Sequence, residues 1–366
     1  MDTLITLLMI DLPKITWIGT LVQGLFNAIG NYGWTIIVFT LILKAIVLPI
    51  EFVQRYFTQK NQVIMKEIQP MVEKIDKAYG DNKRGAQNEK RKLFKKHGYS
   101  VFAGCIPMIL TMTIFIIMFT GLNSYTAYAN AEYYIKIETK YRETIVEEFN
   151  ELGYSYANYK EIVDHYSTNA IGEQEAKDYE IVLNNTQIAV GKYAEDERQG
   201  FIWIKNIWRP DTWAKVMPDA DEFAKGSIGM PGVSGVDKEE YTVIHEGVLA
   251  NAGGYGKAGW NGLLILPLLS LLTQFLSMKI TMRAQSGGDK KIATSDPTMQ
   301  SAKYMQFLMP IMMTVFVLFY TAAFGLYIVS NAVLSILANL GMTPLVKKIV
   351  KKQKEKKTDN TVSYRR

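Results

Sequence analysis

The sequence predicts an all-α integral membrane protein of five transmembrane helices, with a cytoplasmic helical hairpin after the first span and a long extracytoplasmic insertion after the second. Three observations carry this. Residues 102–122, 261–278 and 304–343 contain no Asp, Glu, Lys or Arg, and 33–50 contains a single charge, Lys44. A helical crossing needs about 20 mostly apolar residues, so these runs read as spans. The net charge of +6 is also unevenly spread. Segments 51–101, 279–303 and 344–366 hold 26 Lys and Arg in 99 residues, against 13 in the 138 residues of 123–260. Basic segments beside spans stay in the cytoplasm, which puts the N-terminus outside and the C-terminus inside.

Residues 1–32 form an outer-surface amphipathic segment. Leu12, Ile15, Ile18, Leu21, Val22, Leu25 and Phe26 recur at helical spacing, with Thr16, Thr20, Gln23 and Asn27 between them. There is no basic n-region and no small-residue cleavage site, so a signal peptide is not supported. A crossing by 3–29 is the alternative, with Pro13 and Lys14 as obstacles. Span 1 covers 33–50, and Pro49 is expected to bend or end it. The hairpin covers 51–101: a charge-mixed helix over 52–79, a turn at Gly80-Asp81-Asn82, and a second helix over 86–97 stopped by His97-Gly98. Span 2 covers 101–122. The insertion, 123–259, is acidic and rich in tyrosine, with helical spacing in 132–152 and 157–166; it reads as a small external domain held by aromatic packing. Span 3 covers 260–278, followed by a cytoplasmic loop, 279–303. The run 304–341 is too long for one crossing and divides into spans at 304–320 and 324–341, reversing near Thr321-Ala322-Ala323. The basic tail, 344–366, is expected to be disordered around Lys347–Lys357. It suits anionic lipid headgroups or ribosomal RNA, and composition does not separate the two.

Several chemistries are excluded. Cys105 is the only cysteine, so no disulfide forms within one chain, and His97, His165 and His245 have no metal-ligand spacing. Gly254-Tyr-Gly-Lys-Ala-Gly259 matches a dinucleotide fingerprint but follows no strand and leads into a span. Asn184-Asn185-Thr186 is a chance-level sequon, and His245-Glu246 lacks the second histidine of a zinc protease. No cofactor, metal or catalytic constellation is expected, and the chain does not read as an enzyme.

The spans hold polar groups instead. Lys44 is the sharpest, because a lysine at a helix centre costs about 2.5–3.5 kcal/mol even on lenient scales. It either faces a polar cavity or a partner, or snorkels inward to the cytoplasmic side, where the polar run from Glu51 starts seven positions on. Thr40 lies four residues before it on the same face. Thr111 and Thr113 lie in span 2, Gln274 in span 3, and Ser330 and Asn331 in the last span. Such groups either join helices or line a wet groove. Met65, Met108, Met112, Met278, Met282, Met305 and Met309 suit a surface that accepts varied apolar segments, and equally serve as core filler.

In order and placement, several motifs resemble the YidC-type membrane protein insertase family. They are Gly33-Trp34…Lys44…Pro49, Gln69-Pro70, Gly104-Cys105-Ile106-Pro107, Phe201-Ile-Trp-Ile-Lys-Asn, Asp296-Pro297…Met309-Pro310 and Leu326-Tyr-Ile-Val-Ser-Asn331. The resemblance covers about 31–125, 200–215 and 260–345. It implies a five-span bacterial plasma-membrane protein with a hydrophilic groove open to cytoplasm and lipid. The substrate groove is then expected at Lys44, Thr40, Thr111, Gln274, Tyr327, Ser330 and Asn331. Nascent membrane proteins would be the clients, the Sec translocon and the ribosome further partners, and there would be no small-molecule substrate. The family's groove cation is usually arginine, five residues before a proline; Lys44 and Pro49 keep that spacing. Thr111 and Thr113 replace a usual Gln and Pro, a Pro-Ala-Gly turn before the last span is absent, and the outer insertion is unusually long. A polar-solute or ion channel and a non-transporting assembly factor for an envelope complex are the other functions compatible with the residues.

Overall fold

Long apolar stretches with few helix breakers fold as long helices, and helices account for nearly all the regular structure. The computed structural model describes residues 12–99, 102–248, 259–286 and 297–363. The helices are α1 (Trp17–Ile29), α2 (Tyr32–Tyr79), α3 (Lys83–Lys96), α4 (Phe102–Glu151), α5 (Tyr159–Thr168), α6 (Glu173–Asp196), α7 (Ala220–Lys225), α8 (Lys238–Tyr241), α9 (Ile265–Ser286), α10 (Pro297–Phe319) and α11 (Ala322–Ser363). A π-turn, Thr242–Glu246, continues α8, and β1 (Gly226–Ser227) pairs antiparallel with β2 (Met230–Pro231). Three helices among the described residues are long and apolar enough to cross a membrane, within Tyr32–Tyr79, Ile265–Arg283 and Ala322–Glu355.

Several helix limits differ from the sequence reading. Pro49 does not end the first helix: α2 runs for 48 residues with Pro49 and Pro70 inside it. Each proline removes one N–H, that facing Ala45 or Lys66, and the turns on either side hold the helix together. The second span and the helix expected over 132–152 are one 50-residue helix. The third helix begins at Ile265, not Trp260; Trp260 instead makes an isolated bridge with Lys215. The tail is not disordered over Lys347–Lys357, since α11 continues to Ser363. Within the segment 1–32 a helix runs from Trp17, where Thr16 caps it by accepting from the Gly19 N–H; residues 1–11 lie outside the described residues.

The chain divides into two units. One comprises Met1–Ile36, Met118–Leu266 and Val317–Leu326. Along the outer half of α4, Tyr133, Ile137, Tyr141, Ile145 and Phe149 recur every fourth residue, so they share one face. That face packs on Ile162 of α5 and on Val182, Val190 and Ala194 of α6. Tyr134, Phe223 and Tyr241 form a second cluster. The loop 199–216 is held by buried polar groups. The Asn261 side-chain amide donates to the carbonyls of Asn206, Arg209 and Pro210, and its oxygen accepts from the Asn206 N–H. Asp211, wholly buried, accepts from the N–H groups of Leu263 and Leu266 and from Trp203 Nε1. It thereby caps α9, where a carboxylate complements the helix dipole. Arg209 and Ile207 carbonyls accept from Ala322 and Ala323 at the start of α11. Gly33 is required beside this loop, because a Cβ there would overlap the Phe201 ring at 2.0 Å.

The other unit comprises Ile37–Ile117, Pro267–Phe316 and Tyr327–Arg366. Gly80, with φ of +48°, ends α2. Asn82 caps α3 by accepting from the Gly85 N–H, and His97-Gly98 stops it, as expected. The hairpin is closed by Met65, Ile68 and Val72 against Phe94, with Lys90 paired to Asp76. Much of the remaining surface is inverted relative to a water-soluble protein. Leu41, Ile46, Val53, Leu268, Leu272, Phe307, Leu337 and Leu340 are all exposed. Contiguous exposure of large apolar residues marks a surface solvated by lipid.

Two predictions follow from the first unit. Asp211→Ala strands the Leu263 and Leu266 N–H groups at the α9 start and Trp203 Nε1 in the 199–216 loop, and should cost about 3 kcal/mol. Thermal unfolding in detergent measures it, against the exposed control Asp164→Ala. The second concerns Glu138, whose carboxyl is pushed up to about 7, mainly by burial, despite its Arg142 partner. The folded state then holds this proton at pH values where the unfolded chain has lost it, so stability falls as pH rises from the ordinary carboxylate range through 7. Glu138→Gln should therefore raise the melting temperature at pH 8 and leave it unchanged at pH 4. His245 acts in the opposite sense: burial pushes it down to about 3, so stability falls as pH drops below its ordinary range. Gains of equal size at both pH values for Glu138→Gln would contradict the assignment.

Candidate functional site

The second unit contains a cavity of about 390 Å³. Its walls follow from helical periodicity. On α2, Thr40, Lys44, Val47, Glu51, Gln54, Arg55 and Thr58 fall on one face, while Leu41, Ile42, Ile46, Ile50 and Val53 fall on the exposed face. On α11, Tyr327, Asn331, Ser335, Asn339 and Thr343 recur every fourth residue and make a polar stripe down the helix. Gln274, Ser277, Met278 and Thr281 line it from α9, Met309, Pro310 and Met313 from α10, and Ile114 and Phe115 from α4.

Charge is concentrated at one place. The Lys44 Nζ donates to Glu51 Oε1 at 2.5 Å and to Ser335 Oγ at 2.8 Å. Glu51 Oε2 accepts from the Arg55 guanidinium at 3.2 Å, and Arg55 also donates to the Asn339 side-chain oxygen. Side-chain exposure is 8% for Lys44 and 17% for both Glu51 and Arg55, so the cluster is sheltered. It contains two cations and one carboxylate. Two further donors on this wall, Arg55 Nε and Gln54 Nε2, are buried without a hydrogen-bond partner. A buried donor left unpaired is costly, which makes this wall receptive to an acceptor-bearing segment.

Of the residues expected to form the groove, Thr40, Lys44, Gln274, Tyr327 and Asn331 line the cavity. Ser330 does not: one residue from Asn331, it is turned about 100° around the helix, off the stripe. Thr111 lies on α4, and its side chain is outside the described residues. Lys44 lines the cavity and is paired with Glu51. Glu51, Arg55, Ser335, Asn339 and Thr343 were missed. The first two were assigned to the cytoplasmic hairpin because span 1 was bounded at Ile50, beside Pro49. Extending the four-residue spacing from Tyr327 and Asn331 would have found the others. Of the methionines singled out, Met278 and Met309 line the cavity, whereas Met65 packs in the hairpin core.

A family model described as 60Kd inner membrane protein matches residues 24–149 and 179–354. The membrane protein insertase YidC of Caldanaerobacter subterraneus is 36% identical over 117 residues, covering 32% of this chain and 55% of that protein. The insertase YidC of Oceanobacillus iheyensis is 34% identical over 112 residues, covering 30% and 42%. That of Oleidesulfovibrio alaskensis is 35% identical over 105 residues, covering 28% and 19%. The chain thus spans about half the length, or less, of the curated relatives it matches.

Proposed function

The chain belongs to the 60Kd inner membrane protein family of bacterial membrane proteins, and from that premise we propose that it is a membrane protein insertase and membrane chaperone. The observation that carries this reading is a sheltered, net-positive cluster on the polar α2 and α11 walls of a cavity whose helices present apolar faces outward. A polar or acidic outer segment of a nascent protein enters the cavity and is held by the cluster. Its apolar helix passes to lipid, and burial of that helix drives the transfer. No covalent step is involved.

In this reading the five spans are those of the sequence, with the hairpin, the 279–303 loop and the basic tail on the cytoplasmic side, as their lysine and arginine density supports. The tail helix carries Lys347, Lys348, Lys351, Lys352 and Lys354 and supplies a polycationic contact for the ribosome.

The electrostatic part of the mechanism is testable at Lys44. Attraction between unit charges is about 4 kcal/mol at 4 Å with an effective dielectric near 20, and far less in open water. Lys44→Arg should insert clients as well as the parent chain. Lys44→Ala should lose clients with acidic outer tails, and Lys44→Glu should be worse still. The measurement is protease protection of a single-span client in cells making only the variant. Equal insertion of acidic tails by all four forms would leave Lys44 a structural lysine and remove the groove mechanism.

A further inference from the structure

Glu51 is the unexpected member of the cluster. It lies seven residues after Lys44 and four before Arg55, so helical geometry puts all three on one face of α2. Its two carboxylate oxygens are divided between the two cations, Oε1 to Lys44 and Oε2 to Arg55. Each cation is therefore already engaged by a carboxylate, and an incoming one competes with Glu51 for it. Full engagement of either cation requires that its pair with Glu51 open, and the cluster as a whole offers a single net positive charge. The two cations are held in position by groups that Glu51 does not supply: Ser335 for Lys44, Asn339 for Arg55. The cations thus keep partners on α11 when the carboxylate lets go.

We propose that Glu51 is a specificity-determining residue, a built-in competitor that an acidic client segment must displace from Lys44 and that sets how much negative charge the groove accepts. The proposal rests on the insertase reading above and deepens it. With Glu51 present, one client carboxylate neutralises the cluster and a second makes it negative. The groove then favours tails with one acidic residue over tails with none, and gains little from a second. Without the Glu51 charge the cluster carries two positive charges, and two client carboxylates are needed to neutralise it. Without the Lys44 charge it carries none, because Glu51 and Arg55 cancel.

The test uses the full chain reconstituted in lipid vesicles and a single-span client whose outer tail bears no, one or two Asp residues, scored by protease protection. Glu51→Gln keeps the shape of the side chain and removes its charge. It should raise insertion of the two-Asp tail relative to the one-Asp tail by about fivefold, the order that a partly sheltered ion pair supplies. Lys44→Met should erase the advantage of the one-Asp tail over the uncharged one. The double variant, Lys44→Met with Glu51→Gln, returns the cluster to one net positive charge on Arg55 and should restore that advantage, a gain that damage to the fold cannot produce. If Lys44→Met loses the advantage and the double variant does not recover it, Glu51 is a structural counter-ion and this proposal alone falls. If Lys44→Met loses nothing, the groove-cation reading falls and takes this proposal with it. Should the double variant not accumulate, Glu51→Gln decides alone, and an unchanged ratio of two-Asp to one-Asp tails overturns the proposal.

Discussion

A charge placed among apolar helices must be paired, hydrogen-bonded or wetted, and the second unit is arranged around how Lys44 meets that requirement. An unpaired ion in a low-dielectric interior costs several kcal/mol even after relaxation. Here the ammonium is satisfied by a carboxylate about two turns further along the same face of α2 and by a hydroxyl on α11. The carboxylate in turn needs a second partner, which Arg55 provides, and Arg55 needs Asn339. Each link recruits the next polar residue, and the result is a polar lining on helices whose other faces are apolar. The cavity is the space these groups keep between themselves and the apolar side chains of α4 and α10.

The first unit is stabilised by a different means. Its helical core alternates aromatic residues and isoleucines at every fourth position on α4, which gives a wide apolar face with hydroxyls at its edge. Tyr133 donates to the Ala194 carbonyl and Tyr241 to the Pro218 carbonyl, so the polar tips of these buried rings are satisfied. The loop 199–216 has little regular structure and is nonetheless well fixed, because Asn261 and Asp211 take up backbone groups that a helix or sheet would otherwise have paired. Ile202 sits in this loop with φ of +53°, a region that β-branched residues avoid, held by the reciprocal bonds between Phe201 and Ile204.

Much of the architecture was legible from charge and apolar periodicity. The Gly80 turn, the stop at His97-Gly98 and the helix break near Thr321 are local signals, and each appears where the residues put it. The misjudged features share a cause. Pro49 is a helix breaker by local rules, yet α2 has long apolar and polar turns on both sides to absorb one lost hydrogen bond. Once the helix was cut there, Glu51 and Arg55 fell outside the span and their place on the Lys44 face was lost. The tail reads as disordered by composition, but it continues a helix already nucleated within α11, and Tyr56 and Glu67 on α2 reach Gln353 and Lys354 along it. Adding turns to an existing helix avoids the nucleation cost that makes isolated polar helices marginal.

The cluster also shows how a lysine can stand where a guanidinium is more usual among relatives suggested by the motifs. Lysine is a point charge on a flexible stem and cannot form a planar two-bonded pair. In this chain the forked geometry is present, one turn beyond Glu51, at Arg55, which holds a carboxylate with one nitrogen and an amide oxygen with another. Lys44 contributes charge deeper along the helix, and Arg55 contributes directional bonding nearer the hairpin. Glu51 lies between them and couples the two. A substitution at any one of the three therefore changes the net charge and the bonding of the other two together, and single variants at this site report on the cluster, not on one side chain.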